Sequence, residues 1–241
     1  MSDMTIDTQE GEKSAKNAKK LLKSKPRSAG RPRQDEVEER TQQLLQTAID
    51  LFLEHGYAGV SLDTIAKAAH VTTRTIYVKF GGKAGLFGAA ITSERERTQG
   101  GKQNLDADFR PMSEVLYDFG RRTYNTIASE RTRRIQRVVI AESKAHPDLA
   151  RAFFDAGPAL GIATLVRYFS RPDIRAQLRS DIPLQTLAIH LISCLRGDHL
   201  FRLLIGMQPG LTPADNERHV EMAISLFLSG SLTPDRSVHR S

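Results

Sequence analysis

The stretch QQLLQTAIDLFLEHGYAGVSLDTIAKAAHVTTRTIYVKFGGKAGLF, from Gln42 to Phe87, governs how the rest of the chain is read. Leu44, Leu45, Ala48, Ile49 and Phe52 recur at helical spacing, so an amphipathic helix is expected from about Asp35 to His55. Acids crowd its first turn, where the helix dipole favours them. Gly56 stands where a left-handed residue would end it. Ser61 and Thr72 are N-cap residue types before two short helices, about Leu62–Ala68 and Thr72–Lys79. A fourth helix is expected from Gly82 or Lys83 into the mid 90s. A long helix, a break, two short helices and a new start form the layout of a helix-turn-helix unit, whose second short helix enters the DNA major groove.

The chemistry of that second short helix fits the task. Ile76 and Phe80, four apart, take its buried side, so Thr73, Arg74, Thr75 and Tyr77 cannot all point inward. Arg74 is suited to a bidentate contact with guanine, and Thr73 and Thr75 to a thymine methyl or a phosphate. Tyr77 and Lys79 are candidates for phosphate contacts, which position a protein without reading sequence. Thr72 and Ser61 combine capping with a possible phosphate contact. In an arbitrary helix the same residues would be a solvated face with a half-packed tyrosine.

Ala48, Leu51, Phe52, Gly56, Tyr57, Ser61, Ile65, Ala66, Ala69, Val71, Thr75, Ile76, Tyr77, Phe80, Lys83, Leu86 and Phe87 together carry a resemblance. The segment is similar to the DNA-binding domain of the tetracycline-repressor (TetR) family of bacterial transcriptional regulators. Further on, RVVIAESKAHPDLARAFFDAGP, Arg137 to Pro158, resembles the ligand-binding domains of AefR-like members. The resemblance implies an all-α fold, with a three-helix DNA-binding domain followed by a helical ligand-binding and dimerisation domain. It also implies that Lys83 holds a phosphate, a role that suits a lysine at a helix N-terminus. Two positions depart from the family pattern. His70 occupies a turn where members usually carry glycine, so positive φ with some strain is expected there. Gly85 lies in the first turns of the fourth helix, where it should cost up to about 1 kcal/mol relative to alanine.

The 241 residues include 39% hydrophobic and 26% charged side chains, ordinary proportions for a globular protein. No apolar run reaches the roughly 18–20 residues that span a bilayer, and no secretory signal opens the chain. Cys194 is the single cysteine, which excludes an internal disulfide and fits a reducing cytoplasm. Residues 1–34 hold nine Lys and Arg against four Asp and Glu, so they carry +5 of the total +7 and the remaining chain +2. They are expected to form a disordered basic arm. It ends in Gly30-Arg31-Pro32-Arg33, which resembles an AT-hook; Arg31 and Arg33 then reach the minor groove, or the arm is only a flexible basic linker.

The expected domains are the arm (1–34), a helix-turn-helix domain (35–98), a ligand-binding and dimerisation domain (99–230) and a flexible tail (231–241). Helices in the third region are expected at about Pro111–Ala128, Thr132–Lys144, Asp148–Phe169 interrupted by Pro158, Leu184–Ile205 and Pro213–Leu228. The resemblance implies an effector pocket among them, for which the candidates are Phe119, Tyr124, Phe153, Phe154, Tyr168 and Phe169. Aromatics at helical spacing are more often core, and this inventory points to an apolar or aromatic effector. Leu184, Leu187, Leu191, Leu195, Val220, Ala223, Ile224 and Phe227 form apolar stripes on the last two long helices, and the family pairs these helices across a two-fold axis. His190 and Cys194 lie four apart, but no further ligand accompanies them, and no metal or cofactor is expected.

The expected function is a homodimeric regulator of transcription, acting as a repressor on an inverted-repeat operator in double-stranded DNA and released by a small-molecule effector. Its expected location is the bacterial cytoplasm at the nucleoid, with no membrane partner. An architectural DNA-binding protein of the same fold, without an effector, is the alternative. An all-α enzyme is the third reading, but the sequence offers no nucleophile with a partnered base, no metal-ligand cluster and no phosphate-cradling loop.

Overall fold

The computed structural model of the protein describes residues 34–100, 104–207 and 212–233. Residues Met1–Arg40 and Thr41–Ser241 form two separate units. The basic arm, with Arg31 and Arg33, and residues 234–241 lie outside the described residues. Eleven α-helices are present among the described residues, with a short 3₁₀ turn at Leu105–Ala107 and no strand. They are α1 Gln34–Gly59, α2 Leu62–Ala68, α3 Thr73–Phe80, α4 Lys83–Gln99, α5 Met112–Ala128, α6 Glu130–Glu142, α7 Pro147–Ala156, α8 Pro158–Phe169, α9 Pro172–Arg175, α10 Leu184–Leu204 and α11 Pro213–Ser231.

The starts and stops follow the side chains. Ser61 accepts from the Thr64 amide at 3.0 Å and Thr72 from the Thr75 amide at 3.1 Å, satisfying one orphan donor at the head of α2 and of α3. Ser129 and Thr212 do the same for α6 and α11. Proline opens α7, α8, α9 and α11, where its missing N–H costs nothing. Gly56 breaks α1 rather than ending it: its φ of 75° and ψ of 166° are accessible in practice only to glycine, and one further turn follows to Gly59. His70 does take positive φ, 54°, in the turn between α2 and α3. The expected mid-chain helix splits at Gly157 into α7 and α8, as Pro158 required. Pro147–Phe169 is apolar enough in one window to resemble a membrane span. It is two helices of 10 and 12 residues, each far short of the roughly 20 needed to cross a bilayer.

Two hydrophobic clusters hold the Thr41–Ser241 unit together. The first joins Leu44, Ile49, Phe52, Ile65, Ile76 and Phe87 with Ile135, Val139, Leu149 and Ala156. Helices α1–α4 therefore share one core with α6 and α7. The second runs through α5, α8, α10 and α11 and includes Phe119, Tyr124, Tyr168, Phe169, Leu191 and Phe227. A Cβ at Gly120 would lie 3.0 Å from both Leu195 and Val220, so its absence lets α5 settle between α10 and α11. The last turn of α11 belongs to this body, not to a loose tail: Ser231 is buried, and its carbonyl accepts from the Arg179 amide at 2.9 Å.

Candidate nucleic-acid interface and effector cavity

The candidate recognition helix is α3, an eight-residue segment docked by one fully buried side chain, Ile76, with Phe80 half-buried beside it. Its opposite face is solvent-exposed. Arg74, Thr75, Tyr77 and Lys79 all lie there, as does Val78, 78% exposed, which the sequence reading passed over. Val78 and the 57% exposed Tyr77 together form a small apolar patch beside Arg74. The signal was available in the spacing, because Val78 follows Ile76 by two and so cannot share its face.

Several of the candidate polar groups already have partners. Thr73 donates to the Asp63 carboxylate at 2.7 Å, which ties α3 to α2. The hydroxyls of Thr72 and Thr75 share a hydrogen bond at 2.8 Å, and those of Ser61 and Thr64 another at 2.8 Å. Lys79 donates to the Thr41 hydroxyl. Lys83 departs furthest from expectation. Its ammonium lies 4.3 Å from the centroid of the Tyr57 ring and 6.0 Å from that of Phe52, half-buried rather than held out as a free phosphate seat. Burial lowers its pKa, against the opposing pull of Glu142 and Asp148.

Gly85 is not a tolerated weak residue. A Cβ there would meet the Phe80 carbonyl oxygen at 1.8 Å, so the connection from α3 to α4 closes only with glycine. The same logic holds at Gly56, where a Cβ would lie 2.7 Å from Glu142 Oε1. Through that gap the Glu142 carboxylate accepts from the Tyr57 and Ala58 amides at 2.8 and 2.7 Å, satisfying donors freed by the break in α1. Tyr57 then donates its hydroxyl to Asp148 at 3.2 Å, and burial raises the pKa of that phenol. Arg131 bonds Asp50 at 2.8 Å and lies 3.3 Å from Glu94. The α6–α7 hairpin thus grips α1 through main-chain, side-chain and apolar contacts together.

The same hairpin walls a cavity. It is about 80 Å³, bounded among others by Arg95 and Gln99 of α4, Gln136 of α6, Phe153 of α7, and Ile192 and Arg196 of α10. An open groove of about 300 Å³ shares Gln136, Phe153 and Arg196 with it and continues past Ile140 and Phe201. Of the six aromatic candidates, Phe153 alone lines this cavity. Phe119, Tyr124, Tyr168 and Phe169 are buried in the body core, and Phe154 is 52% exposed. Their periodicity reported a packed interior, as it usually does.

The dimer candidates need the same correction. Leu187, Leu191, Leu195, Val220, Ala223, Ile224 and Phe227 are buried within the protomer, with Leu184 packed at their edge. Their stripes face one another and α5, because a helix in the middle of a body buries its most apolar side first. The large apolar side chains that α10 and α11 leave exposed are Ile189, Phe201, Met222 and Leu226.

Known proteins give this geometry a context. Residues 44–90 match the family described as bacterial regulatory proteins, tetR family, and residues 114–230 match the C-terminal domain of AefR-like transcriptional repressors. No curated protein matches the chain significantly. Among solved structures, the flavonoid-responsive regulator FrrA is 29% identical, with a TM-score of 0.65 over 82% of this chain and 100% of its own. A TetR-family transcriptional regulator from Mesorhizobium loti MAFF303099 is 22% identical, with a TM-score of 0.65 over 81% of this chain and 98% of its own. NalD, the secondary repressor of the MexAB-OprM multidrug efflux pump in Pseudomonas aeruginosa, is 20% identical, with a TM-score of 0.53 over 84% and 100%. These relatives are regulators of transcription, not enzymes. With its two matches falling on the helix-turn-helix head and on the helical body, the chain belongs to the TetR family of DNA-binding transcriptional regulators, with an AefR-like C-terminal domain.

Proposed function

We propose that the protein is a homodimeric repressor that binds an inverted-repeat operator in the bacterial cytoplasm and is released by a small-molecule effector. Residues 35–98 serve as the DNA-binding domain, and residues 99–230 take the effector and the partner subunit. The observation that carries the reading is α3: a helix whose one fully buried side chain is Ile76, with Arg74, Tyr77 and Val78 exposed on its outer face. Arg74 reads a guanine, Val78 and Thr75 meet thymine methyls, and Tyr77 and Lys79 hold phosphates. Lys83 contributes through the field at the start of α4 more than by direct reach, because its ammonium sits over Tyr57.

Dimerisation follows from what the fold leaves outside. Met222 and Leu226, four apart on α11, are 70% and 67% exposed, with Ile189 on the neighbouring α10. Isologous packing of that surface removes it from water and sets two recognition helices about 34–36 Å apart, one turn of B-DNA. The flavonoid-responsive FrrA and the repressor NalD share the fold, which supports an effector and a repressing role here.

Genomic footprinting of the purified protein, followed by gel shifts on the footprinted site, tests the reading. Arg74→Ala should cost about 1–3 kcal/mol against one operator base pair and little against the others. Binding of Arg74→Ala indistinguishable from wild type at every position would overturn the assignment of α3.

A further inference from the structure

The effector's chemistry is written in the charges around the cavity. Arg95 and Arg196 both line it, one from α4 and one from α10, and none of its lining residues is acidic. Among the described residues neither guanidinium has a hydrogen-bond or ion-pair partner within the protein. Crowding by neighbouring atoms lowers the pKa of both. For Arg95 the sole opposing influence is the adjacent Glu96, and for Arg196 there is none. Arg95 is half-buried, while Arg196 is solvent-exposed at the junction of cavity and groove.

Arg97, Arg110, Arg131, Arg133, Arg171, Arg179 and Arg202 each bond a carboxylate, whereas Arg95 and Arg196, which line one cavity, bond none among the described residues. A guanidinium at a cavity wall gives up hydration without gaining an anion. A ligand carboxylate offsets that cost, and guanidinium is the side chain whose geometry matches a carboxylate in two parallel hydrogen bonds. The rest of the wall is of another kind. Ile127, Phe153, Pro158 and Ile192 face the cavity, and Ile140 and Phe201 the groove. Together the two spaces reach the lower end of the range for small-molecule sites, about 300–1,000 Å³.

We propose that the effector is a small amphipathic carboxylate, its anionic head clamped by Arg95 and Arg196 and its hydrocarbon part laid against Phe153 and along the groove. This rests on the reading of the chain as an effector-controlled regulator and narrows it. The apolar effector expected from the aromatic inventory loses its basis, because four of those six aromatics are core and a fifth faces solvent. The route to DNA is short. Arg95 lies on α4, which begins three residues after α3 ends, and Phe153 lies on the hairpin that grips Tyr57.

The full-length protein is titrated calorimetrically with phenylacetate, 4-phenylbutyrate and decanoate, with the matching amides, and with inorganic phosphate. At least one carboxylate should bind, and its amide should bind about tenfold or more weakly, as loss of a charge-assisted pair predicts. Arg95→Gln and Arg196→Gln should each lose a similar factor for the carboxylate and leave the amide unchanged. Amide binding equal to the acid, phosphate binding equal to the carboxylate, or no binding by any member of the series would each overturn the proposal. Gel shifts on the same preparations separate the two readings. Selective operator binding that no bound carboxylate changes overturns the effector assignment alone, whereas absence of selective DNA binding overturns the regulator reading itself.

Discussion

The two hydrophobic clusters of the Thr41–Ser241 unit are assembled in different ways. The body cluster gathers α5, α8, α10 and α11, with Gly120 allowing their closest approach. The head cluster takes its first part from a single continuous stretch, Leu44 to Ile91, and completes it with Ile135, Val139, Leu149 and Ala156 from far along the chain. A unit of this size buries a smaller share of its surface than a larger one, so added apolar partners count for more. It borrows the α6–α7 hairpin, and the hairpin is also the wall of the cavity. The lesson is physical: the element that completes the head's core cannot move without the head feeling it, because close-packed interiors transmit strain. On the proposed reading, ligand control needs no relay of special residues: the shared core and the Glu142 clasp would supply the coupling.

The largest expected effect comes from breaking the borrowed part of the head core. Leu149→Ala, at a fully buried site, should destabilise the protein by about 2–5 kcal/mol in chemical denaturation. Amide exchange should accelerate first in α1, α2 and α4, although the substituted residue lies more than fifty residues downstream of them. Protection lost only in α5, α10 and α11 would break the comparison drawn above. Gly85→Ala comes next. The Cβ it adds meets the Phe80 carbonyl oxygen, so the α3–α4 connection must shift at a cost of about 1–3 kcal/mol. Operator affinity should fall sharply while carboxylate binding at the cavity persists, which separates head geometry from body function. Equal operator affinity in gel shifts would mean that the connection can open freely.

Glu142→Gln is the smallest change and the sharpest one. The amide keeps one acceptor for the Tyr57 and Ala58 amides but loses the charge and the second acceptor, a loss of about 1–2 kcal/mol for a half-buried clasp. Thermal unfolding should register that modest loss. The informative readout is coupling: the ratio of operator affinities with and without bound carboxylate should shrink, while ligand affinity measured without DNA stays near that of wild type. An unchanged ratio would show that the apolar contacts alone carry the signal.

How far the chain could be read from its residues differs between the two regions for a reason that particular positions make plain. In the head, Ser61, Thr72, Gly56 and the Ile76–Phe80 pair act locally, through contacts within a few residues, and their caps, break and buried face are where the sequence placed them. Gly85 was misjudged because helix propensity is a local property and the Phe80 carbonyl is a neighbour brought close only by the turn. The position of Lys83 over the Tyr57 ring could not be read in the same way, since that ring lies across the fold. In the body, periodicity identified the helices yet could not say which apolar stripe meets which. Leu191 and Ile224 were expected to face a second subunit and instead face their own protomer, leaving Met222 and Leu226 outside.

The residues by themselves determined an all-α chain and a helix-turn-helix with its caps, because each of these rests on interactions between near neighbours in sequence. Tertiary structure alone decided three things. It joined α6 and α7 to the head core, it brought Arg95 and Arg196 to one cavity without an acid, and it chose the face that α10 and α11 present to solvent. Each depends on the relative placement of helices dozens of residues apart. A one-dimensional pattern states how apolar a face is, and only packing states what covers it.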